Sequence, residues 1–367
     1  MSLYLYIILY LIKYTKYFIK NKILKYILII IFFLLIFKKK IPNKNSKKIG
    51  VIGVRHEINV GNNLLKYAIF IKLKEFGFKP YIIGTQWKNF DISFVKKKTN
   101  CIVIKKNFSE IKKNDFDILM VNSDQTWRKF DKYFYDYGFL RFAKKWKIPK
   151  FVYGASLGFH NWRLSKKDEI IIKELLKDFT GISVREKGSI KLIQKHLGIK
   201  PVSVLDPTFL INKKYYLELI KNFISDECPK SEYIFVYVMN MNNHYKKYMK
   251  FASKRLNYKI YKIKIRKKNL IERFIYGITK SKAVITDSFH GTIFSIIFNK
   301  PFISFIRNAR ERFFSLVKTF HIENRIFEKN QFPNSNLLNT PLNINYTLFN
   351  LLKKQSIDYL KKNLKIN

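Results

Sequence analysis

From residue 48 onward, short apolar runs rich in Val and Ile alternate with stretches of helical periodicity. This alternation is typical of parallel strands joined by crossover helices. The first predicted strand is Ile49–Val54, and apolar side chains then recur three and four residues apart until Gly77, a favourable helix C-terminus. The pattern therefore predicts an α/β chain built from Rossmann-like units.

The predicted strands form two series, which suits a chain of 367 residues. We expect a first Rossmann-like domain over 48–211, a connector over 212–232 and a second Rossmann-like domain over 233–345. The tail, 346–367, is predicted to be a Lys-rich amphipathic helix that packs back across the domains. Two such domains face a cleft, and open α/β sheets bind ligands beyond the carboxyl ends of their strands.

The first 47 residues differ from the rest because they are hydrophobic and Lys-rich, and no acidic residue precedes Glu57. Two apolar runs, Leu3–Ile12 and Ile23–Phe37, predict a membrane anchor within residues 1–40 and a linker after it. A helix over the second run covers about 22 Å of a hydrocarbon core of about 30 Å, so spanning and interfacial placement both remain open. An ordinary buried helix is a third alternative. Either membrane placement keeps the following domains at the cytoplasmic face, by the positive-inside rule.

The chain is strongly basic, with 72 Lys and Arg against 25 Asp and Glu and a formal charge of +47. A basic surface attracts phosphate, but these lysines are spread along the whole chain and no nucleic-acid-binding motif is present, so no nucleic-acid partner is expected. Cys101 and Cys228 lie far apart and form no Cys/His cluster, which argues against a disulfide framework and against a zinc site.

Polar clusters follow several of the predicted strands. A Gly/Asn loop (Gly61-Asn62-Asn63) leads into a helix, where backbone N–H groups and the helix dipole favour an anion. Asp124, Gln125 and Trp127 follow the fourth strand and suit a hydroxyl-rich ligand beside an aromatic face. Arg185 follows the sixth strand and can grip a carboxylate or phosphate. A capped turn, a structural Asp cap and an Arg185–Glu186 ion pair are the respective structural alternatives.

The most specific cluster is Thr286-Asp287-Ser288-Phe289-His290-Gly291-Thr292, where a predicted strand ends and a helix begins. The positive end of the helix lowers the pKa of an isolated imidazole, whereas Asp287 or a bound anion raises it. His290 is therefore placed to exchange a proton near neutral pH. His56 is a weaker second candidate.

Six elements, taken together, resemble the polysaccharide pyruvyl transferase family over residues 49–306. They are the Gly/Asn loop, Ser123-Asp124-Gln125-x-Trp127, Tyr153-x-Ala155-Ser156-x-Gly158, Ser183-Val184-Arg185-Glu186, Leu205-Asp206-Pro207-Thr208 and the segment from Thr286 to Thr292. The resemblance implies two Rossmann-like domains in a glycosyltransferase-B-like arrangement. It also implies transfer of a pyruvyl group from phosphoenolpyruvate to a sugar as a ketal.

The chemistry of this reaction suggests roles for the residues of these motifs. It implies that His290 is the acid/base group, poised by Asp287, and that no cofactor or obligatory metal is needed besides the donor substrate. The implied donor-binding residues are Arg185, Gly61, Asn62, Asn63, Ser288, Gly291 and Thr292. The implied acceptor-binding residues are Asp124, Gln125 and Trp127.

Two residues depart from the family's pattern, in which an Arg often stands two places before the His and a Gly before Ser-Asp-Gln. This chain has Ser288 and Asn122 there. Two other functions remain open: a nucleotide-sugar glycosyltransferase on the same plan, and a non-catalytic membrane-bound protein that binds saccharide or polyanion. The anchor and the family together suggest a lipid-linked saccharide acceptor at the cytoplasmic face of the membrane.

Overall fold

Two parallel sheets carry the fold. The computed structural model describes residues 46–53, 59–84, 93–129, 132–159, 161–224, 228–263, 268–306 and 310–366. The predicted anchor and its hydrophobic helix lie outside these residues, as does His56. Within the described part, no helix is both long enough and apolar enough to cross a membrane.

Within the described residues, the first sheet has seven parallel strands in the order β3-β2-β1-β4-β5-β6-β7. The strands are β1 (Lys48–Ile52), β2 (Lys79–Gly84), β3 (Ile102–Lys105), β4 (Ile118–Val121), β5 (Lys150–Ala155), β6 (Gly181–Val184) and β7 (Val202–Ser203). The central strands β4 and β5 are buried along their whole length. Helices cover both faces of such a sheet, which explains why these strands read as continuous apolar runs.

The second sheet has five parallel strands among the described residues, in the order β12-β11-β10-β8-β9. They are β8 (Tyr233–Tyr237), β9 (Lys259–Lys262), β10 (Ala283–Thr286), β11 (Phe302–Ile306) and β12 (Ile326–Glu328). The sequence did not predict β12, because a half-buried edge strand of three residues leaves almost no periodic signal.

The helices connect and cover the strands. They are α1 (Val60–Glu75), α2 (Ser93–Thr99), α3 (Phe134–Phe139), α4 (Lys166–Leu176), α5 (Gly188–Leu197), α6 (Lys213–Glu218), α7 (Asn243–Leu256), α8 (Leu270–Lys280), α9 (Phe289–Ile297), α10 (Arg310–Phe320) and α11 (Tyr346–Leu364). A short 3-10 turn, Pro207–Phe209, follows β7.

The strand order reverses once in each sheet. β1 lies between β2 and β4, and β8 lies between β9 and β10. A crevice opens beyond the carboxyl ends of the strands at such a reversal, where open α/β sheets bind their ligands. α1 follows β1 and α9 follows β10, so the N-termini of these two helices lie at the two crevices.

A shared apolar core joins the layers around the two sheets. Tyr67 of α1 packs against Tyr216 of α6, with ring centroids 6.1 Å apart, and Tyr216 packs edge-on against Phe294 of α9 at 4.9 Å. Both sheets accordingly belong to one compact unit, Lys47–Asn367. The boundaries predicted for two separate domains remain predictions.

The C-terminal helix α11 is confirmed, and it packs on the first sheet. The Tyr359 hydroxyl donates a hydrogen bond to the carbonyl of Val152 at 2.7 Å. The Thr180 hydroxyl donates to Oδ1 of Asn363 at 3.0 Å, and the N–H of Leu205 donates to the Ser356 hydroxyl at 2.9 Å. The last helix of the chain therefore completes the layer beside strands β5 to β7.

Candidate active site

The N-termini of α1 and α9 meet at Gly61 and His290. A Cβ atom on Gly61 would lie 2.0 Å from Nδ1 of His290, so the imidazole occupies the space beside this glycine. Any side chain at position 61 would displace the ring. The structure thus brings together the predicted Gly/Asn loop of the first sheet and the predicted acid/base residue of the second.

His290 is buried among charged groups. Its side chain is 8% exposed, and Nε2 lies 3.8 Å from Oδ2 of Asp206. Nε2 has no hydrogen-bond partner among the described residues. Burial lowers the pKa of His290 from 6.5 to about 4, although the Asp206 and Asp124 carboxylates oppose the shift. The imidazole is therefore neutral at pH 7, with a ring nitrogen available to a ligand.

Arg185, directly after β6, is held by carboxylates on three sides. Nε donates to Oε1 of Glu186 at 2.9 Å, and Nη1 donates to Oδ2 of Asp206 at 2.8 Å. Nη2 lies 3.6 Å from Oδ1 of Asp124 and makes no hydrogen bond within the described part of the chain. The Arg185–Glu186 ion pair, which the sequence offered as a structural alternative, is present in the structure.

Asp206 caps the turn after β7 and links Arg185 to His290. Its Oδ1 accepts hydrogen bonds from the backbone N–H of Thr208 at 3.0 Å and from the Thr208 hydroxyl at 2.7 Å. Burial raises the pKa of Asp206. The positive charges of Arg185 and His290 and the hydrogen bonds from Thr208 outweigh this effect, so the net pKa is lowered. Asp206 is ionised at neutral pH and positions both side chains.

Asp124, directly after β4, faces the same cluster from the other side. Its backbone has φ +95°, a left-handed conformation, and it forms an isolated parallel bridge with Ala155. Burial raises the pKa of Asp124, but the positive charges of Arg185 and Arg312 lower it by more. The net pKa is therefore lowered, and this carboxyl is also ionised at neutral pH. Asp124, which the sequence predicted to bind the acceptor, lies beside Arg185.

Two basic residues that the sequence analysis missed complete the cluster. Arg312, in the first turn of α10, places Nη1 3.9 Å from Oδ1 of Asp124. Lys66 of α1 is buried, and this burial lowers its pKa to about 7 although the Asp124 carboxylate opposes the shift. Lys66 could have been found from the sequence, because it is a lysine on an otherwise apolar face of α1. No motif surrounds Arg312, so the sequence held no sign of its role.

A cavity of about 160 Å³ lies beside this cluster. Arg185, Asp206, Phe289 and Arg312 line one side of it. Polar side chains of α10 and α11 line the other side, among them Ser315, Thr319 and Gln355. A small charged molecule can therefore contact both sheets at once in this cavity.

Sequence comparison assigns the chain to a family. The family model described as polysaccharide pyruvyl transferase matches residues 59–308. The chain belongs to this family. The matched region begins at the N-cap of α1 and ends just after β11, so it contains Gly61, Asp124, Arg185, Asp206 and His290. No curated protein sequence matches the chain significantly.

Solved structures share the fold of this pyruvyl transferase family member at low sequence identity. The UDP-GlcNAc 2-epimerase of Neisseria meningitidis, bound to UDP-GlcNAc, is 12% identical with a TM-score of 0.51, over 87% of this chain and 94% of the epimerase. MnaA of S. aureus, solved with UDP, is 14% identical with a TM-score of 0.50, over 88% and 98% of the two chains. The α/β fold with parallel sheets is thus similar to that of glycosyltransferase-B-like epimerases.

Asp287, predicted to poise His290, makes hydrogen bonds to the local backbone. Asp287 accepts hydrogen bonds from the backbone N–H groups of Met239 at 2.6 Å and Asn240 at 3.2 Å. The carboxylate 3.8 Å from Nε2 of His290 belongs to Asp206 and not to Asp287. The reason is that the Asp287 side chain reaches across to the loop after β8.

The start of α9 is capped by its own residues. The Ser288 hydroxyl accepts a hydrogen bond from the N–H of Gly291 at 3.3 Å, and the Ser288 carbonyl accepts one from the N–H of Thr292 at 3.0 Å. The Thr292 hydroxyl lies 2.7 Å from that of Ser304. A Cβ on Gly291 would lie 2.2 Å from the Thr286 hydroxyl oxygen, so this glycine permits close packing on β10. These groups build the platform that carries His290.

The Gly/Asn loop is likewise a capped helix start. Asn59 is the N-cap of α1, and its Oδ1 accepts a hydrogen bond from the N–H of Asn62 at 3.2 Å. The Asn63 side-chain amide donates to the Asn59 carbonyl at 3.0 Å. Oδ1 of Asn63 is buried and has no hydrogen-bond partner among the described residues. Gly61 is the member of the loop that the structure brings to His290.

Of the predicted acceptor residues, Asp124 lies in the charged cluster, whereas Gln125 and Trp127 do not. The Trp127 side chain is in the core: the residue is 2% exposed, its indole N–H donates to the Gly138 carbonyl at 3.0 Å, and it stacks on Phe139. The buried Trp127 ring has almost no exposed surface for a sugar, which argues against its predicted role in acceptor binding. Gln125 is half-buried and accepts a hydrogen bond from Arg128 at 2.9 Å. Asp124 is the predicted acceptor residue that lies in the charged cluster.

Within the described residues, no group of three or more His, Cys, Asp or Glu side chains could hold a metal ion. The sequence-based expectation that the reaction needs no metal or cofactor remains a prediction.

Proposed function

We propose that this protein transfers a pyruvyl group from phosphoenolpyruvate to a saccharide and forms a ketal. The acceptor in this proposal is a sugar of a cell-surface polysaccharide or of its lipid-linked precursor. Membership of the polysaccharide pyruvyl transferase family supports the reaction class. The position of His290 is the observation that supports the chemistry.

His290 suits a proton transfer to carbon. Nε2 is buried and without a hydrogen-bond partner among the described residues, and burial holds the pKa of the imidazole at about 4. An anionic donor beside the ring raises this pKa, because negative charge stabilises the imidazolium. Donor binding should therefore be accompanied by proton uptake at neutral pH, and donors should bind more tightly as the pH falls.

The proposed reaction has two stages. Nε2 of His290 gives a proton to the donor methylene carbon, which becomes a methyl group, and a saccharide hydroxyl forms a bond to the resulting cationic carbon. The bond to the phosphate oxygen then breaks, and a second hydroxyl closes the ketal. One hydroxyl proton restores the imidazolium and the other leaves with inorganic phosphate, so atoms and charge balance.

The charged groups around His290 have distinct parts in this proposal. Arg185 binds the donor anion through Nη2, since its other nitrogens are engaged by Glu186 and Asp206. Asp124 is ionised and accepts hydrogen bonds from the acceptor hydroxyls. Asp206 holds Arg185 and faces Nε2, so it orients both groups without touching substrate.

We also propose that residues 1–40 attach the protein to the cytoplasmic face of the membrane. The two apolar runs and the lysines that follow them support this proposal. Such placement would bring the site to lipid-linked saccharides before their export.

The test is ligand-induced stabilisation of the full-length chain in mild detergent. Phosphoenolpyruvate at about 100 times its Kd should stabilise the fold by about 2.7 kcal/mol, a shift of a few degrees in Tm. Arg185→Ala should abolish the shift, whereas Arg255→Ala, which removes an exposed guanidinium of α7, should leave it intact. His290→Ala should abolish release of phosphate with saccharide acceptors.

Two results would overturn the proposal. Stabilisation by UDP-sugars instead of phosphoenolpyruvate would indicate a nucleotide-sugar glycosyltransferase. Binding of saccharide with no release of phosphate by the wild-type chain would indicate the non-catalytic binding protein.

A further inference from the structure

Two guanidinium groups from different parts of the chain converge on one aromatic ring. The Cζ atoms of Arg185 and Arg312 lie 4.7 Å and 5.0 Å from the centroid of Phe289. Both groups also approach the same oxygen, Oδ1 of Asp124, at 3.6 Å and 3.9 Å. Phe289 and Asp124 thus hold two cations close together, despite their mutual repulsion.

Both guanidinium groups line the cavity of about 160 Å³. Pockets for drug-sized ligands measure about 300–1,000 Å³, so this smaller space suits a molecule such as a three-carbon phosphate. Lys187 adds a third cationic side chain to its lining, and Ser315 and Thr319 of α10 add hydroxyl groups. The cavity is therefore suited to a small molecule that carries more than one negative charge.

Arg185 alone offers little to such an anion. Two of its three guanidinium nitrogens already donate to Glu186 and Asp206, and Nη2 is the one that makes no hydrogen bond among the described residues. A donor with a carboxylate and a phosphate needs at least two cationic contacts. The position two residues before His290 cannot provide the second one, because Ser288 stands there and caps α9.

We propose that Arg312 supplies the second guanidinium, so that the donor phosphate binds in this cavity between Arg185 and Arg312. This inference rests on the proposed function, since it takes phosphoenolpyruvate as the donor. α10 thereby provides, through its first turn, the cation that the resemblance places at position 288. Arg312 acts as a donor-binding residue and sets specificity for a phosphorylated donor.

The experiment measures binding of three probes, phosphoenolpyruvate, inorganic phosphate and pyruvate, to the full-length chain by titration calorimetry. Arg312→Ala should weaken phosphoenolpyruvate and phosphate by about 10- to 100-fold, the range for loss of a hydrogen bond to a charged group. Pyruvate, which lacks the phosphate, should change by less than about twofold. Arg312→Lys keeps the charge but loses the planar fork, so intermediate affinity is expected.

The matched variants separate a binding role from a structural one. Arg255→Ala removes an exposed guanidinium elsewhere and should leave all three affinities unchanged. In the background of Arg312→Ala, Ser288→Arg should restore part of the phosphate affinity, because it returns a guanidinium to the same end of α9. In turnover, Arg312→Ala should raise KM for phosphoenolpyruvate more than it lowers kcat.

The outcomes distinguish this inference from the proposed function. If the wild-type chain binds no phosphoenolpyruvate, the proposed function fails. If the wild-type chain binds it and Arg185→Ala abolishes binding, but Arg312→Ala and Arg312→Lys both bind it within about twofold of wild type, only the role of Arg312 is refuted. Equal weakening of phosphate and pyruvate by Arg312→Ala would also refute it, because the effect would not be specific to phosphate.

Discussion

The neutral, buried imidazole of His290 makes the stability of the fold depend on pH. Burial lowers the pKa of His290 to about 4 in the folded chain, against 6.5 for an ordinary imidazole. As the pH falls through 6.5, the unfolded chain takes up a proton that the folded chain does not, and the folded state loses stability. Replacing the imidazole in His290→Gln removes this dependence and keeps a polar side chain of similar length.

The magnitude follows from proton linkage. With pKa values of 6.5 and about 4, the contribution of His290 to the free energy of unfolding falls by about 2 kcal/mol between pH 7 and pH 5. By pH 4 the loss is about 3 kcal/mol. The wild-type chain should therefore lose this much more stability on acidification than His290→Gln does.

The assay is urea unfolding of both chains at pH 7, 6 and 5, followed by tryptophan fluorescence. The quantity of interest is the difference in unfolding free energy between wild type and variant, because titrating groups that do not interact with His290 cancel in it. Arg255→Ala provides the control, since arginine stays protonated throughout this range and its difference from wild type should stay constant. A constant difference between wild type and His290→Gln from pH 7 to pH 5 would refute the neutral imidazole.

Three further substitutions test the packing of the site. Gly61→Ala should destabilise the fold by about 1–3 kcal/mol in urea unfolding and reduce transfer, because its Cβ would overlap the His290 ring; unchanged stability would contradict the contact. Trp127→Phe should lower the unfolding free energy by about 1–3 kcal/mol, because it leaves the Gly138 carbonyl without the indole hydrogen bond. KM for the saccharide should stay constant. A changed KM with unchanged stability would restore the predicted role of Trp127 in acceptor binding. Asp287→Asn should lower the unfolding free energy by about 1–3 kcal/mol, since one amide oxygen replaces a carboxylate that accepts two backbone hydrogen bonds; an unaltered urea midpoint would show that these bonds contribute nothing.

The sequence predicted the strands and long helices well because their periodicity is local. The helix predicted in the tail, 346–367, is observed as α11 over Tyr346–Leu364. The edge strand Ile326–Glu328 was missed because three residues are too few for a periodic pattern. The sequence predicted parallel strands from the helices that connect them, and the structure confirms the parallel pairing in both sheets.

The site was predictable where a residue directly follows a strand, and unpredictable where partners come from afar. Arg185 and His290 were identified from strand ends, and the structure brings them together through Asp206. Trp127 was misplaced because an aromatic residue after a strand can face either the core or the cleft, and sequence spacing does not distinguish the two. Arg312 was missed because its approach to Asp124 depends on how α10 packs, a long-range property.

The attachment of α11 to the first sheet affects how the chain folds during synthesis. Strands β5 to β7 are complete in sequence at Ser203, yet their helical cover at Tyr359 and Asn363 is made only after the whole second sheet. At about 5–20 residues per second, the ribosome needs about 10–30 s to bridge this interval. During that time the apolar surface around Val152 and Tyr153 lacks its final partner. The nascent chain therefore exposes this apolar surface until α11 has been made.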